Sequence, residues 1–117
     1  MNTANITKTE TRIQSATDDF VDAMKRHYGT RLVRIVLFGS YARGDFHEDS
    51  DLDLMVVLAD TQVNHVVEIR QTVKRTALLA LEHNIVISPI FASLQKAASD
   101  RSALFRFIRK EGVVVYE

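Results

Sequence analysis

The chain has 117 residues, which is enough for one globular domain and too few for two ordinary hydrophobic cores. Apolar residues make up 46% and charged residues 26%, a mixture that excludes wholesale disorder. Fifteen basic residues balance fifteen acidic ones and there is no cysteine, so the sequence disfavours extended nucleic-acid binding and excludes disulfides and thiolate chemistry.

The N-terminal region predicts a helix preceded by a short tail. Thr7–Glu10 has the spacing of a capping box, and apolar residues recur behind it at helical spacing as far as Gly29. Residues 1–6 are expected to be a flexible tail, and 1–117 a single domain. The segment lacks the apolar stretch of a signal peptide, and no apolar run approaches the length of a membrane helix, so we expect a cytoplasmic protein with no membrane contact.

Two β-strands with a polar segment between them come next. Leu32–Phe38 is rich in β-branched residues and ends at Gly39, which indicates a buried strand. Asp51–Leu58 alternates at its start and is apolar at its end, which indicates a strand whose first residues lie at an open rim of the sheet.

The C-terminal half predicts two helices and two strands. The first helix is capped by Asn64 and is expected to bury the apolar face Val66, Ile69, Val73, Ala77, Ala80 and Leu81. The strand Ile85–Phe91 contains Pro89, which favours an edge position or a bulge. The second helix begins at Ser99 or Asp100, Gly112 is expected in a left-handed conformation at its end, and a short strand closes the chain over residues 113–116.

The resulting order is α-β-α-β-α-β-α-β, where the second helix is short. Strands separated by helices predict an α/β (α+β) fold with one small mixed sheet flanked by helices.

Two aspartates at the start of the second strand are candidate metal ligands. Asp51 and Asp53 project from one face with Cα atoms roughly 6.5–7 Å apart. Two bare carboxylates on one face repel each other unless a cation lies between them, and Mg²⁺ binds through one or two carboxylates together with substrate phosphates. An isolated Asp-x-Asp is more often a solvated pair, so the pattern needs support from elsewhere in the chain.

That support comes from the residues after the first strand. Gly39 lets an anion approach the backbone, and Ser40 begins a short helix-compatible stretch whose free N–H groups favour a phosphate. The Ser40 hydroxyl either contacts the phosphate or caps the helix. Arg43 lies one turn further on, where its guanidinium could reach the same anion. Together with Asp51 and Asp53, these residues could hold a nucleoside triphosphate by its phosphates and its metal.

The spacing of these motifs resembles the signature of the DNA polymerase beta nucleotidyltransferase superfamily. Gly39-Ser40, ten further residues and Asp51-Leu52-Asp53 carry the resemblance. Within the superfamily the chain is similar to the minimal nucleotidyltransferases (MNT), over roughly residues 10 to 117. The stretch Gly39–Asp45 and the closing segment Glu111–Tyr116 both fit that group.

The resemblance implies a polymerase-beta-like fold and a transfer of AMP from ATP to a hydroxyl. It implies Asp51 and Asp53 as catalytic Mg²⁺ ligands and Gly39 and Ser40 on the triphosphate, with Arg43 nearby. For the MNT group it also implies a partner, a HEPN ribonuclease toxin that is neutralised by adenylylation of a tyrosine. This chain would then be the antitoxin and would form a hetero-oligomer with that partner.

One departure from the fuller pattern keeps a second hypothesis open. Larger members carry a third carboxylate on the strand after the covering helix. In this sequence the corresponding strand segment, Ile85–Ile90, contains no acid. The preceding Glu82 is expected on the solvated face of the helix. The alternative is a binding module that masks its partner and has a vestigial nucleotide site. The four histidines show no metal-ligand spacing, although His47 precedes the aspartate pair.

Overall fold

A four-stranded mixed sheet forms the centre of the molecule. The computed structural model describes the backbone of residues 3–117 and the side chains of residues 10–117. The order across the sheet is β3-β2-β1-β4, with β1 antiparallel to both of its neighbours and β2 parallel to β3. The strands are β1 (Leu32–Phe38), β2 (Leu52–Leu58), β3 (Ile87–Ser93) and β4 (Val113–Tyr116). The mixed sheet is confirmed, and so is the edge position of Pro89 on β3.

Five helices flank this sheet. They are α1 (Thr3–Tyr28), α2 (Ser40–Arg43), α3 (His65–His83), α4 (Leu94–Ser99) and α5 (Ala103–Glu111), with a 3₁₀ turn at Gly29–Arg31. The Asn64 side chain accepts a hydrogen bond from the Val67 N–H, which confirms the predicted cap of α3. Within residues 3–117, none of the helices combines the length and the apolar composition that crossing a bilayer requires.

The two faces of the sheet bury separate hydrophobic cores. Leu52, Leu54 and alternate residues beyond them pack with α1 and α3, whereas Met55 and Val57 pack with α4 and α5. Because side chains alternate along a strand, Asp53 projects from the same face as Met55. The candidate metal ligand is therefore on the α5 side of the sheet.

The buried face of α3 agrees with the prediction only in part, since Ile69 and Ala80 pack half-buried against the core. Val66, Val73 and Leu81 are 57%, 53% and 80% exposed, and the helix instead buries Glu68, Thr72, Thr76 and Leu79. The buried polar groups are satisfied: Tyr28 donates its hydroxyl proton to Glu68 Oε1 over 2.9 Å, and the Thr72 hydroxyl donates to the Glu68 carbonyl over 2.8 Å. Local hydrogen bonding thus overrides the apolar periodicity.

Several predicted boundaries are also wrong. Helix α1 begins at Thr3, ahead of the proposed capping box and within the segment assigned to a tail; residues 1–2 lie outside the described residues. A single helix after β3 was expected to begin at Ser99 or Asp100, but there are two, capped by Ser93 and Ser102. Asp100 is extended and its carboxylate accepts from the Ser102 N–H over 2.8 Å, which separates α4 from α5.

Gly112 is not left-handed as predicted, since its φ is −68°. A glycine is nevertheless required there because an added Cβ would overlap the Ile108 carbonyl oxygen and the Val36 side chain. The close approach fixes the end of α5 against β1.

The rotation of α3 can be tested with two leucines of the same helix. Leu79→Ala should destabilise the protein by about 2–5 kcal/mol, because Leu79 is 6% exposed, whereas Leu81→Gln should change stability by no more than about 0.5 kcal/mol. Urea unfolding of both variants measures the difference. A larger loss for Leu81→Gln than for Leu79→Ala would contradict the observed orientation of the helix.

Candidate functional site

A cleft of about 880 Å³ opens between the ends of β1 and β2 and the helix α5. All five residues that the sequence singled out contribute to its wall: Gly39, Ser40, Arg43, Asp51 and Asp53. The volume falls within the range of small-molecule sites. The structure therefore brings the phosphate-binding candidates and the metal-binding candidates into one cavity.

Gly39 lies directly against Asp53. The last residue of β1, Phe38, is the register partner of Asp53 on β2, so the chain leaves β1 beside this carboxylate. Gly39 has φ 77° and ψ −156°, a conformation that is open essentially to glycine alone. An added Cβ would also overlap Asp53 Oδ2. Backbone conformation and lack of space thus both require glycine at this position.

Ser40 is the first residue of α2 and not its cap. The N-cap is Gly39, and no side chain caps this end of the helix. Among the described residues, the Ser40 hydroxyl makes no hydrogen bond, although it lines the cleft. Of the two roles that the sequence left open, the capping role is therefore excluded in this structure.

Arg43 lies between two carboxylates. Its Nε is 3.1 Å from Asp45 Oδ2, and its Nη1 is 3.8 Å from Glu111 Oε2. The hydrogen bond to Asp45 is the largest cause of the raised pKa of Arg43. Both ion pairs are at the surface, where such pairs are weak. The Arg43 guanidinium could therefore exchange these carboxylates for a bound phosphate.

Burial and a neighbouring carboxylate disfavour the negative charge of Asp53. Burial raises the pKa of Asp53, the charge of Asp51 raises it further, and Arg43 opposes both effects. Asp51 is exposed and lies one residue before β2, while Asp53 is half-buried. Two carboxylates on one wall, where burial and the charge of Asp51 disfavour the ionised form of Asp53, fit a divalent cation such as Mg²⁺.

A tight turn brings the loop before β2 into the cleft. The His47 N–H donates to Ser50 Oγ over 2.9 Å, and the Asp49 N–H donates to His47 Nδ1 over 3.3 Å. His47, Asp49 and Ser50 all line the cavity. The sequence motifs drew attention to His47 only because it precedes the aspartate pair, and no motif predicted that Asp49 would line the cleft.

A second group of possible metal ligands shares no residue with the cleft. Asp19, Glu82 and His83 offer ligand atoms within 4.8 Å of one another, at the contact of α1 with α3. His83 Nε2 is 2.8 Å from Asp19 Oδ2, which already accounts for the proximity of these two side chains. Glu82 is exposed, as predicted.

The strand β3 supplies no acid to the site. Its register partner for Asp53 is Ser88, and the strand itself, Ile87–Ser93, contains no carboxylate. The opposite wall comes from α5, which sequence reasoning did not assign to the site: Leu104, Phe107, Ile108 and Glu111. Leu104 and Phe107 are exposed apolar residues at helical spacing. This spacing is visible in the sequence, but only the position of α5 in the structure shows that the two side chains face the cleft.

The sequence is similar to known nucleotidyltransferase domains and adenylyltransferases. A nucleotidyltransferase domain model matches residues 18–109. The "Putative protein adenylyltransferase MJ0604" of Methanocaldococcus jannaschii is 35% identical over 104 residues, which cover 88% of this chain and 97% of that protein. The "Putative protein adenylyltransferase MJ0141" of the same organism is 38% identical over 60 residues, which cover 51% of this chain and 59% of that protein.

The fold is also found in solved structures of toxin-antitoxin complexes. A toxin-antitoxin crystallised with AMP-PNP superposes with a TM-score of 0.59 at 24% identity, over 83% of this chain and 69% of that one. A tri-AMPylated Shewanella oneidensis HEPN toxin in complex with MNT antitoxin gives a TM-score of 0.53 at 20% identity, over 87% and 70%. The polymerase-beta-like fold that the sequence motifs implied is thereby confirmed.

Substitution of two glycines with positive φ, Gly39 and Gly44, distinguishes the effect of backbone strain from the effect of crowding at the site. Gly44→Ala should destabilise the protein by about 1–2 kcal/mol, since its φ of 83° is left-handed. Gly39→Ala should destabilise it by more, because its φ of 77° and ψ of −156° favour glycine alone and its Cβ would overlap Asp53 Oδ2. Only Gly39→Ala should also weaken Mg²⁺-ATP binding, because nothing lies within 4 Å of a Cβ at Gly44. Thermal unfolding and calorimetric titration measure the two effects. Equal ATP affinity in both variants would contradict the assignment of Gly39.

The raised pKa of Asp53 makes a prediction about stability. The folded state binds a proton at Asp53 more readily than the unfolded state does, so this group adds stability as pH falls through its raised pKa. In EDTA at pH 7, Asp53→Asn should therefore be at least as stable as the wild type, and its advantage should shrink as the pH falls. Urea unfolding between pH 4 and 7 measures this, with the exposed Asp22→Asn as control. A clear loss of stability in Asp53→Asn at pH 7 would contradict the electrostatic account.

Proposed function

Because the chain belongs to the nucleotidyltransferase domain family, we propose that it transfers AMP from ATP to a hydroxyl group on a partner protein. One observation carries the proposal: Gly39 of the phosphate-binding motif lies against the carboxylate of Asp53. A triphosphate on the first motif would therefore be within reach of a cation held by the second. The proposed enzyme is a single nucleotidyltransferase domain built on one sheet, in line with the family match over residues 18–109.

Five residues have assigned roles in this proposal. Gly39 and Ser40 would hold the triphosphate through backbone N–H groups and the Ser40 hydroxyl, and Arg43 would pair with it after leaving Asp45. Asp51 and Asp53 would hold Mg²⁺. When bound, Mg²⁺ supplies positive charge that neutralises the phosphates as they react.

The chain contributes position more than acid–base chemistry to the transfer. The acceptor oxygen forms a bond to the α-phosphorus, the bond between that phosphorus and the bridging oxygen breaks, and pyrophosphate leaves with the electron pair. The hydroxyl proton passes to solvent or to a carboxylate of the cleft outside β3, because β3 presents Ser88 beside Asp53 and contains no carboxylate. Orientation of the two reactants alone can contribute several kcal/mol to such a step.

We infer that the partner is a HEPN-family toxin and that this chain is its antitoxin. Two observations support this: the relative that is covered almost completely is named as a protein adenylyltransferase, and the same fold occurs in an MNT antitoxin bound to an AMPylated HEPN toxin. A tyrosine hydroxyl on the partner is the proposed acceptor.

The second candidate function is masking of the partner without chemistry. The absence of an acid on β3 favours it, because the acceptor hydroxyl then lacks a base from this strand. In that case the nucleotide site would be vestigial and association alone would neutralise the toxin.

Incubation with a cognate HEPN partner and Mg²⁺-ATP distinguishes the two functions. The expected result is AMP attached to the partner, seen as a mass increase of the intact protein, because the partner supplies a positioned hydroxyl. Asp53→Asn should abolish the mass increase by removing a metal ligand, and EDTA should weaken ATP binding to the wild type.

The matched control for this variant is Asp22→Asn, which removes an exposed carboxylate that does not line the cleft. It should transfer AMP as the wild type does. If the partner is neutralised without any change in mass, and Asp53→Asn neutralises it equally well, the protein acts by masking and the enzymatic proposal is wrong.

A further inference from the structure

The cleft contains far more negative charge than a nucleotide site needs. Among the side chains of residues 10–117, five carboxylates and one guanidinium line it: Asp45, Asp49, Asp51, Asp53 and Glu111 against Arg43. With His47 neutral, the formal excess is four negative charges in a chain whose net charge is zero. The whole molecule is balanced, so this concentration of charge is a local property of the cleft.

A bound nucleotide makes the imbalance worse. A triphosphate brings further negative charge, and a single divalent cation offsets only part of the combined excess. The basic residues of the neighbouring helix do not help, because Arg106 and Lys110 of α5 do not line the cleft. Further positive charge from a partner would reduce this excess, because Arg43 is the only lysine or arginine among the described residues that line the cleft.

The wall beside the carboxylates has a complementary apolar character. Leu104 and Phe107 project from α5 into the cleft and are 45% and 58% exposed. Lysine and arginine side chains have long apolar stems and charged ends. A basic segment could pack its stems on α5 while its charged ends reach Asp45 and Asp49.

From this charge complementarity we propose that the outer part of the cleft is a docking surface for a basic segment of the partner protein, one that bears the acceptor hydroxyl flanked by lysine or arginine. The inference rests on the proposed transfer to a protein and specifies its substrate class. The partner's cations then complete the charge balance around the bound nucleotide, which couples docking to nucleotide binding.

Two short peptides test the docking surface separately from the chemistry. Each contains a single tyrosine, flanked by lysines in one and by glutamates in the other. Fluorescence anisotropy with the full chain, Mg²⁺ and a non-hydrolysable ATP analogue measures their binding, and α-labelled ATP measures transfer. We expect the lysine peptide to bind at least about tenfold more tightly, with a preference that falls as salt is raised.

A charge reversal at the rim provides the decisive variant. Asp49→Lys should reduce the preference for the lysine peptide several-fold, because Asp49 is exposed and lines the cleft. Asp22→Lys on α1 changes the net charge equally, at an exposed position outside the cleft, and should leave the preference unchanged. The ratio of the two affinities is the readout, so a general effect on nucleotide binding does not confound it.

The outcomes separate this inference from the proposed function. Preferential binding of the lysine peptide without AMP transfer supports the docking surface and counts against the enzymatic proposal. Transfer to both peptides at equal rates and affinities, unchanged in Asp49→Lys, overturns the docking surface and leaves the enzymatic proposal standing. Failure of the lysine peptide to bind also overturns the docking surface.

Discussion

The antiparallel pairing of β1 with β2 is the constraint on which the rest of the site depends. It places Phe38 opposite Asp53, so the turn that leaves β1 at Gly39 lies against the carboxylate of the second residue of β2. A shift of one residue in this register would turn Asp53 into the core beneath α1 and α3, because side chains alternate along the strand. The buried apolar residues of β2 prevent such a shift. The register of β1 with β2 therefore determines both the packing of the core and the geometry of the site.

The same arrangement explains how the fold tolerates so many like charges in one cavity. The repulsive carboxylates lie at one end of the sheet, while the residues that hold β2 in place, Leu54, Val56 and Leu58, are fully buried further along the strand. Arg43 offsets part of the repulsion by pairing with Asp45 and approaching Glu111. The unfavourable electrostatics are thus confined to the site, where a cation, a nucleotide and a partner can relieve them.

Much of the fold and the centre of the site could be predicted from local sequence, and the errors have physical causes. The strands β1 and β4, the Asn64 cap and the contribution of all five candidate residues to one cleft followed from short-range patterns. The face of α3 was wrong in part because buried Glu68 and Thr72 satisfy their polar atoms through Tyr28 and a backbone carbonyl, which apolar periodicity does not register. The wall formed by α5 could not be predicted either, since its place depends on the close packing of Gly112 against Val36, a contact between residues 76 positions apart.

The site also suggests how the two candidate functions are related. With Ser88 beside Asp53 in place of an acid, β3 offers no base to the acceptor hydroxyl, and positioning of that hydroxyl gains in importance. Efficient transfer would then require a partner that binds tightly and in one orientation. Tight binding of the partner also covers the partner's surface, which is the masking function. Masking and transfer would then be successive consequences of one association, in which the proposed transfer converts a reversible block into a covalent one. The acidic cleft favours this order of events, because its charge is best balanced when nucleotide, cation and a basic partner are present together.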